Sequence, residues 1–178
     1  MMSGNDEVNE SIRPLLKLSR ETVVRSQRLD HALVSSLERD PLLAERLRRL
    51  RMIPGVGPIT ALTWALEIGD VSRFQSVKQA ISYCGLCSAE RSSADKLVRM
   101  PISKQRNKHI QQTLVEAAKL APRYSHELAL VYERERQRGN KNRATLAVAR
   151  KMVAYMLAVE RRKQDFVPAE QLGGTAAA

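Results

Sequence analysis

A chain of 178 residues with 30 Lys plus Arg against 19 Asp plus Glu carries a formal charge of +11, and only 4% of it is aromatic. That length suits one compact domain plus an extension, and a 43% hydrophobic fraction excludes wholesale disorder. No apolar run approaches the roughly 18 residues of a membrane span, the leader MMSGNDEVNES lacks the layout of a signal peptide, and two cysteines cannot build a disulfide framework. The expectation is a cytoplasmic, nucleoid-associated protein whose charge meets a polyanion, most simply nucleic acid.

In chain order, residues 9–39 carry Ile12, Leu15, Leu16, Val23, Leu29, Leu33 and Leu37 at three- and four-residue spacings, the pattern of a long amphipathic helix. Pro14 interrupts its start. Such a stripe packs on a partner helix, so a short coiled coil and homo-oligomerisation through residues 9–39 are expected behind a disordered leader. Residues 1–40 are read as this arm. Asp40-Pro41 then starts a new helix, with an acidic cap and proline at the first helical position. Leu42, Leu43, Leu47 and Leu50 line its buried face.

That helix ends at Ile53-Pro54-Gly55-Val56-Gly57-Pro58, and the next runs from Ile59 to Ile68 before Gly69-Asp70. A third extends from Ser76 to Gly85. Residues 86–103 show no clear period and are read as a loop. Helices follow from Lys104 to Leu120, Ser125 to Arg138 and Arg143 to Lys163. Residues 164–178 are expected to form a flexible tail. No segment alternates with period two long enough for a strand, so the fold class is all-α: a helical arm, then a helical domain over 41–163 with a helix-hairpin-helix at 42–69 and a basic bundle after it.

The charge is not spread evenly. Residues 91–163 hold 18 Lys plus Arg and 6 acids, a net of +12, leaving −1 for the rest of the chain. An asymmetry of that size points to a localised nucleic-acid surface, the alternative being solvated helix faces. No helix-turn signal is more specific than Ile53–Ala61: apolar, Pro, Gly, apolar, Gly, then a small-residue helix start. Two glycines allow a tight turn that leaves the amides of Gly55, Val56 and Gly57 to meet a DNA phosphate. A plain helix-helix turn is the competing account.

Ser92 and Ser93 lie in a basic stretch. Adjacent serines are commonly turn formers or caps, but a hydroxyl attacking a phosphodiester needs cations at the non-bridging oxygens. Arg91, Lys96, Arg99, Lys104, Arg106 and Lys108 could supply them. Asp95 is the nearest carboxylate. Cys84 and Cys87 have redox or zinc spacing, yet they are a lone pair and His31, His109 and His126 show no companion spacing, so a packed Cys84 and an incidental Cys87 are expected and no metal site. Trp64, Met152 and Met156 read as core.

The stretches IPGVGPITA, GDVSRF, ISYCGL, ERSSADK, ISKQRNKHIQQTLVEAA and GNKNRATLAVARKMVAYML, over roughly residues 45–162, resemble the C-terminal transposase domain of the Piv/MooV-like, bridge-RNA-guided insertion-sequence transposases. The resemblance implies a DNA transposase domain whose serine, Ser93 by position or else Ser92, attacks DNA and becomes covalently joined to it. It also implies DNA and a structured guide RNA as partners. Ala94 stands where that family has glycine. Complete members begin with a RuvC-like acidic domain that binds divalent metal, and nothing before Leu50 supplies it. This chain is therefore expected to hold no cofactor and to be incomplete as an enzyme alone. The rival is a non-catalytic DNA- or RNA-binding helical module, a truncated remnant in which Ser93 is only a loop residue.

Overall fold

The computed structural model describes residues 4–37, 39–93, 96–102 and 107–168, with 4–9, 11, 88–93 and 96–102 described through their backbone. It divides into two compact units, Met1–Asp40 and Pro41–Ala178. The first is one helix, α1 (Gly4–Leu37), which starts earlier than expected and passes through Pro14 without a break. The proline has no N–H for the Glu10 carbonyl, and the turns on either side continue the helix. Ile12, Leu15, Leu16, Val23, Leu29 and Leu33 of α1 are exposed.

The second unit contains α2 (Pro41–Arg51), α3 (Pro58–Ile68), α4 (Val77–Tyr83), α5 (Lys108–Leu120), α6 (His126–Gln137) and α7 (Lys141–Arg162), with short 3-10 turns at Val71–Arg73 and Ala121–Arg123. Helix starts follow local chemistry. Ser76 accepts from the Gln79 amide at 3.3 Å, Asn107 Oδ1 from those of His109 and Ile110 at 3.0 and 3.3 Å, Ser125 from Leu128 at 3.3 Å, and Asn140 from Arg143 at 3.0 Å. Each cap satisfies donors the first turn leaves open. Two boundaries differ from expectation for this reason: α5 begins at Lys108, after the Asn107 cap, and α7 begins at Lys141, after the Asn140 cap.

Helix α7 is the centre of the unit, packing on α2, α4, α5 and α6. Ala144, Val148, Ala149, Met152, Val153, Met156 and Leu157 are buried along its length. Opposite them lie Leu47 and Leu50 of α2, Ala61, Trp64 and Ile68 of α3, and Ile110, Leu114 and Ala118 of α5. Each fully buried Leu, Ile or Met contributes ~1.5–3 kcal/mol. The alanines on α3, α5 and α7 let the helix axes approach closely. Trp64, Met152 and Met156 are core residues, as expected.

The helical class holds, with one correction. Where a loop was expected, the backbone forms an antiparallel hairpin of β1 (Ser88–Ser93) and β2 (Lys96–Ile102). Its register pairs Ser93 with Lys96, Ser92 with Leu97, Arg91 with Val98, Glu90 with Arg99 and Ser88 with Ile102. Between Ser88 and Glu90 the ladder slips by one residue, so β2 accommodates Met100-Pro101 at an irregularity, where the missing proline N–H interrupts no regular rung. Alternation did not reveal them because SAERSS is almost wholly polar and the alternating Val98, Met100 and Ile102 of KLVRMPI span only three positions, with Leu97 and Pro101 between and beside them.

Candidate nucleic-acid-processing hairpin

The hairpin is anchored by the helical unit at both ends. At its entry, α4 stops at Cys84-Gly85: Gly85 has φ +68°, and the Leu86 amide donates to the Ile81 carbonyl at 3.1 Å, a left-handed helix stop that few non-glycine residues would accept. Leu86 is fully buried. Gln111 Nε2 of α5 donates to the Gly85 carbonyl at 2.5 Å, and Arg150 Nε of α7 to the Leu86 carbonyl at 2.8 Å. Two helices thus hold two successive carbonyls just before β1.

At the exit side, Asn107 caps α5 and its Nδ2 donates to Glu67 near the end of α3. The Tyr83 hydroxyl donates to the Glu67 backbone carbonyl at 3.1 Å. The ends of α3 and α4 and the start of α5 are therefore tied together where the chain leaves for the hairpin and returns from it. Arg73 sits beside this junction, its guanidinium 4.7 Å from the Phe74 ring and 4.3 Å from that of Tyr83. Asp70 caps the Val71–Arg73 turn. Hydrogen bonds from the Ser72 hydroxyl and amide hold its carboxyl below the usual range.

The sequence-selected residues fall unequally on this frame. Ser93 is the last residue of β1, at the turn end of the hairpin, and its cross-strand partner is Lys96; that of Ser92 is Leu97. Arg91 and Arg99 lie within the same ladder. The side chains of Ser92, Ser93, Arg91, Lys96 and Arg99, together with Ala94, Asp95, Lys104 and Arg106, lie outside the described residues. Lys108 is exposed at the first position of α5.

Of the three glycine-turn amides, that of Val56 donates to the Ile53 carbonyl at 3.0 Å, and the Val56 side chain is buried. This amide closes the turn, which narrows the phosphate-facing candidates to Gly55 and Gly57. Gly55 has φ +84°, and a Cβ there would stand 2.6 Å from Ala121 Cβ. Its lack of a side chain serves close packing against the end of α5, a role the sequence pattern did not disclose.

Cys84 is buried and Cys87 half-buried, both free; burial pushes the Cys84 thiol up to about 12. This is the packed cysteine anticipated from sequence. Among the described residues no three His, Cys, Asp or Glu side chains converge where they could hold a metal ion. No helix there is long and apolar enough to cross a membrane.

Sequence reasoning missed the groups that brace the hairpin: Gln111, Arg150, Asn107 and Glu67. Only Asn107 had a local signal, as a cap before an apolar run.

The helical unit thus holds the chain entering the hairpin of Ser92 and Ser93 by two backbone carbonyls. Residues 47–133 match the Transposase IS116/IS110/IS902 family. It is 41% identical over 76 residues to y4qE of Sinorhizobium fredii, named as a transposase, covering 43% of this chain and 20% of that protein. It is 29% identical over 126 residues to the transposase for insertion sequence element IS1111A of Coxiella burnetii, covering 68% and 35%. It is also 29% identical over 141 residues to the pilin gene-inverting protein of Moraxella bovis, covering 78% and 44%. The chain thus spans less than half the length of these curated relatives.

Proposed function

We propose that this chain is the C-terminal part of a DNA transposase or recombinase, binding DNA and presenting Ser93 as the nucleophile of strand cleavage and rejoining. The observation that carries it is the family domain over residues 47–133, which includes the hairpin bearing Ser93. Relatives named for transposition and for gene inversion share this region, and both processes cut and rejoin DNA.

In the proposed step the Ser93 hydroxyl oxygen attacks a backbone phosphorus. A serine–phosphate ester bond forms, the bond from phosphorus to one deoxyribose oxygen breaks, and the proton ends on that leaving oxygen. Rejoining is the reverse, with an incoming deoxyribose hydroxyl displacing the serine. Because one phosphodiester replaces another, little bond energy is lost. Cations offset charge on the non-bridging oxygens. Arg91, Lys96 and Arg99 on the hairpin and Lys104, Arg106 and Lys108 after it are assigned to that role, with the amides of Gly55 and Gly57 on a more distant phosphate in a helix-hairpin-helix contact.

Divalent metal chemistry belongs, in this proposal, to an acidic domain of the relatives' additional length; the described residues offer no cluster to hold the ion, and no step here passes through it. A structured guide RNA is the proposed second nucleic-acid partner. The exposed apolar residues of α1 support pairing with a second copy through residues 9–39.

The decisive experiment combines the chain with an acidic domain from a full-length relative, its RNA and DNA, then looks for a covalent protein–DNA adduct on a denaturing gel. An adduct with the native chain and none with Ser93→Ala is expected. An adduct that survives Ser93→Ala overturns the nucleophile assignment, and no adduct with either favours a binding module.

A further inference from the structure

The end of the α6–α7 hairpin lies beyond the stretch matched by the family model and has no part in the serine step. Residues 133–143 contain Arg134, Arg136, Arg138, Lys141 and Arg143 against Glu133 and Glu135, a net of +3. Arg136 is offset by Glu133 at 3.1 Å. Glu135 faces three guanidiniums at once: Arg143 Nε at 3.1 Å, Arg134 Nε at 3.9 Å and Arg138 Nη1 at 4.0 Å. One carboxylate cannot neutralise three cations, so two positive charges are left over there. Lys141 adds another without an acidic partner among the described residues.

The arrangement is held in place. Glu135 is the least exposed of the group, its side chain 17% accessible, whereas the guanidinium groups around it are half-exposed or more. Asn140 caps the Arg143 amide. A Cβ at Gly139 would come within 2.8 Å of Arg143 Cδ, so the glycine leaves the path along which the Arg143 side chain reaches Glu135.

The charges also sit at an unfavourable place for the helix. Lys141 and Arg143 lie in the first turn of α7, which has no acidic residue, and the helix dipole disfavours cations at that end. Local helix stability therefore does not account for them; a polyanion at the tip would.

We propose that the α6–α7 tip is a docking surface for the phosphate backbone of duplex DNA, separate from the serine hairpin and indifferent to sequence. Phosphates supply the counter-charge that Glu135 cannot, and the guanidinium groups arrayed around it are pre-ordered to receive them. The proposal rests on the reading of the chain as a DNA-processing protein.

The test is fluorescence anisotropy of the full chain on an arbitrary duplex, titrated with salt, for the native protein, Arg138→Gln/Lys141→Gln, and Arg13→Gln/Arg20→Gln on α1 as a charge-matched control. Circular dichroism checks that all three fold. Removing two phosphate contacts lowers the slope of log K against log salt by about 1.8 and weakens binding roughly tenfold or more near physiological salt, equally on unrelated sequences. An unchanged slope in the tip variant, or an equal fall in the control, overturns the proposal while leaving the broader function intact. A native chain that binds no duplex overturns both. A loss seen on a structured RNA hairpin but not on duplex DNA overturns the choice of partner.

Discussion

Trp64 and Glu160 are 96 residues apart, yet the indole Nε1 donates to Glu160 Oε2 at 2.8 Å. The same carboxylate takes a two-pronged contact from Arg46, whose Nη2 lies 2.8 Å from Oε2 and whose Nε meets Oε1. Arg46 also donates to the carbonyls of Ala65 at 3.2 Å and Gly69 at 2.6 Å. One side chain from α7, 5% exposed, therefore fastens α2 and α3 together.

Removing that carboxylate strands a half-buried guanidinium and a buried indole N–H. Glu160→Ala is expected to cost about 3–5 kcal/mol, and Trp64→Phe, which deletes one charge-assisted hydrogen bond and leaves the ion pair, about 1.5–3 kcal/mol. Urea unfolding of the single and double variants measures both. A Glu160→Ala cost below that of Trp64→Phe would show that the carboxylate is not the hub.

Gly55 and Gly69 separate two effects of adding a methyl group. Both have positive φ, +84° and +62°, but a Cβ at Gly55 meets Ala121 while one at Gly69 meets nothing within 4 Å. Gly69→Ala should cost only the backbone strain of its φ +62°, ψ −118° conformation, about 1–3 kcal/mol. Gly55→Ala adds a steric clash worth a further ~1–3 kcal/mol. Equal losses of stability in thermal or urea melts would refute the packing role assigned to Gly55.

The two donors at the base of the serine hairpin make a third test. Gln111→Leu or Arg150→Met leaves the carbonyl of Gly85 or Leu86 without its donor, at about 1–3 kcal/mol. Hydrogen exchange should accelerate at residues 86–88 in either variant more than in the middle of α7. In the adduct assay, yield should fall together with that local protection. Full protection in both variants would mean that the hairpin is held by other contacts.

How much could be read in advance follows the range of the forces involved. The boundary at Asp40-Pro41, the helix starts at Ser76 and Ser125 and the apolar face of α2 are set within one or two turns of chain, and all were legible. The hairpin was not, because SAERSS is almost wholly polar, the alternation of Val98, Met100 and Ile102 in KLVRMPI is short, and the two strands pair with each other. Positions 55–57 looked equivalent as amide donors. Folding distinguishes them, since Val56 closes the turn and Gly55 packs on Ala121.

By itself the sequence determined the helical class, the placement of the positive charge in residues 91–163, the buried state of Trp64 and Cys84, and the motifs that mark the family. Periodicity, capping and composition are local or additive properties, so they survive without knowledge of the fold. Only tertiary structure decided that Glu160 joins Arg46 to Trp64, that Gln111 and Arg150 hold the chain entering β1, that Ser93 pairs with Lys96, and that Glu135 gathers three arginines at the α6–α7 tip. Those relationships depend on which surfaces meet once the apolar faces are buried, and apolar burial is indifferent to the identity of the polar groups it brings together.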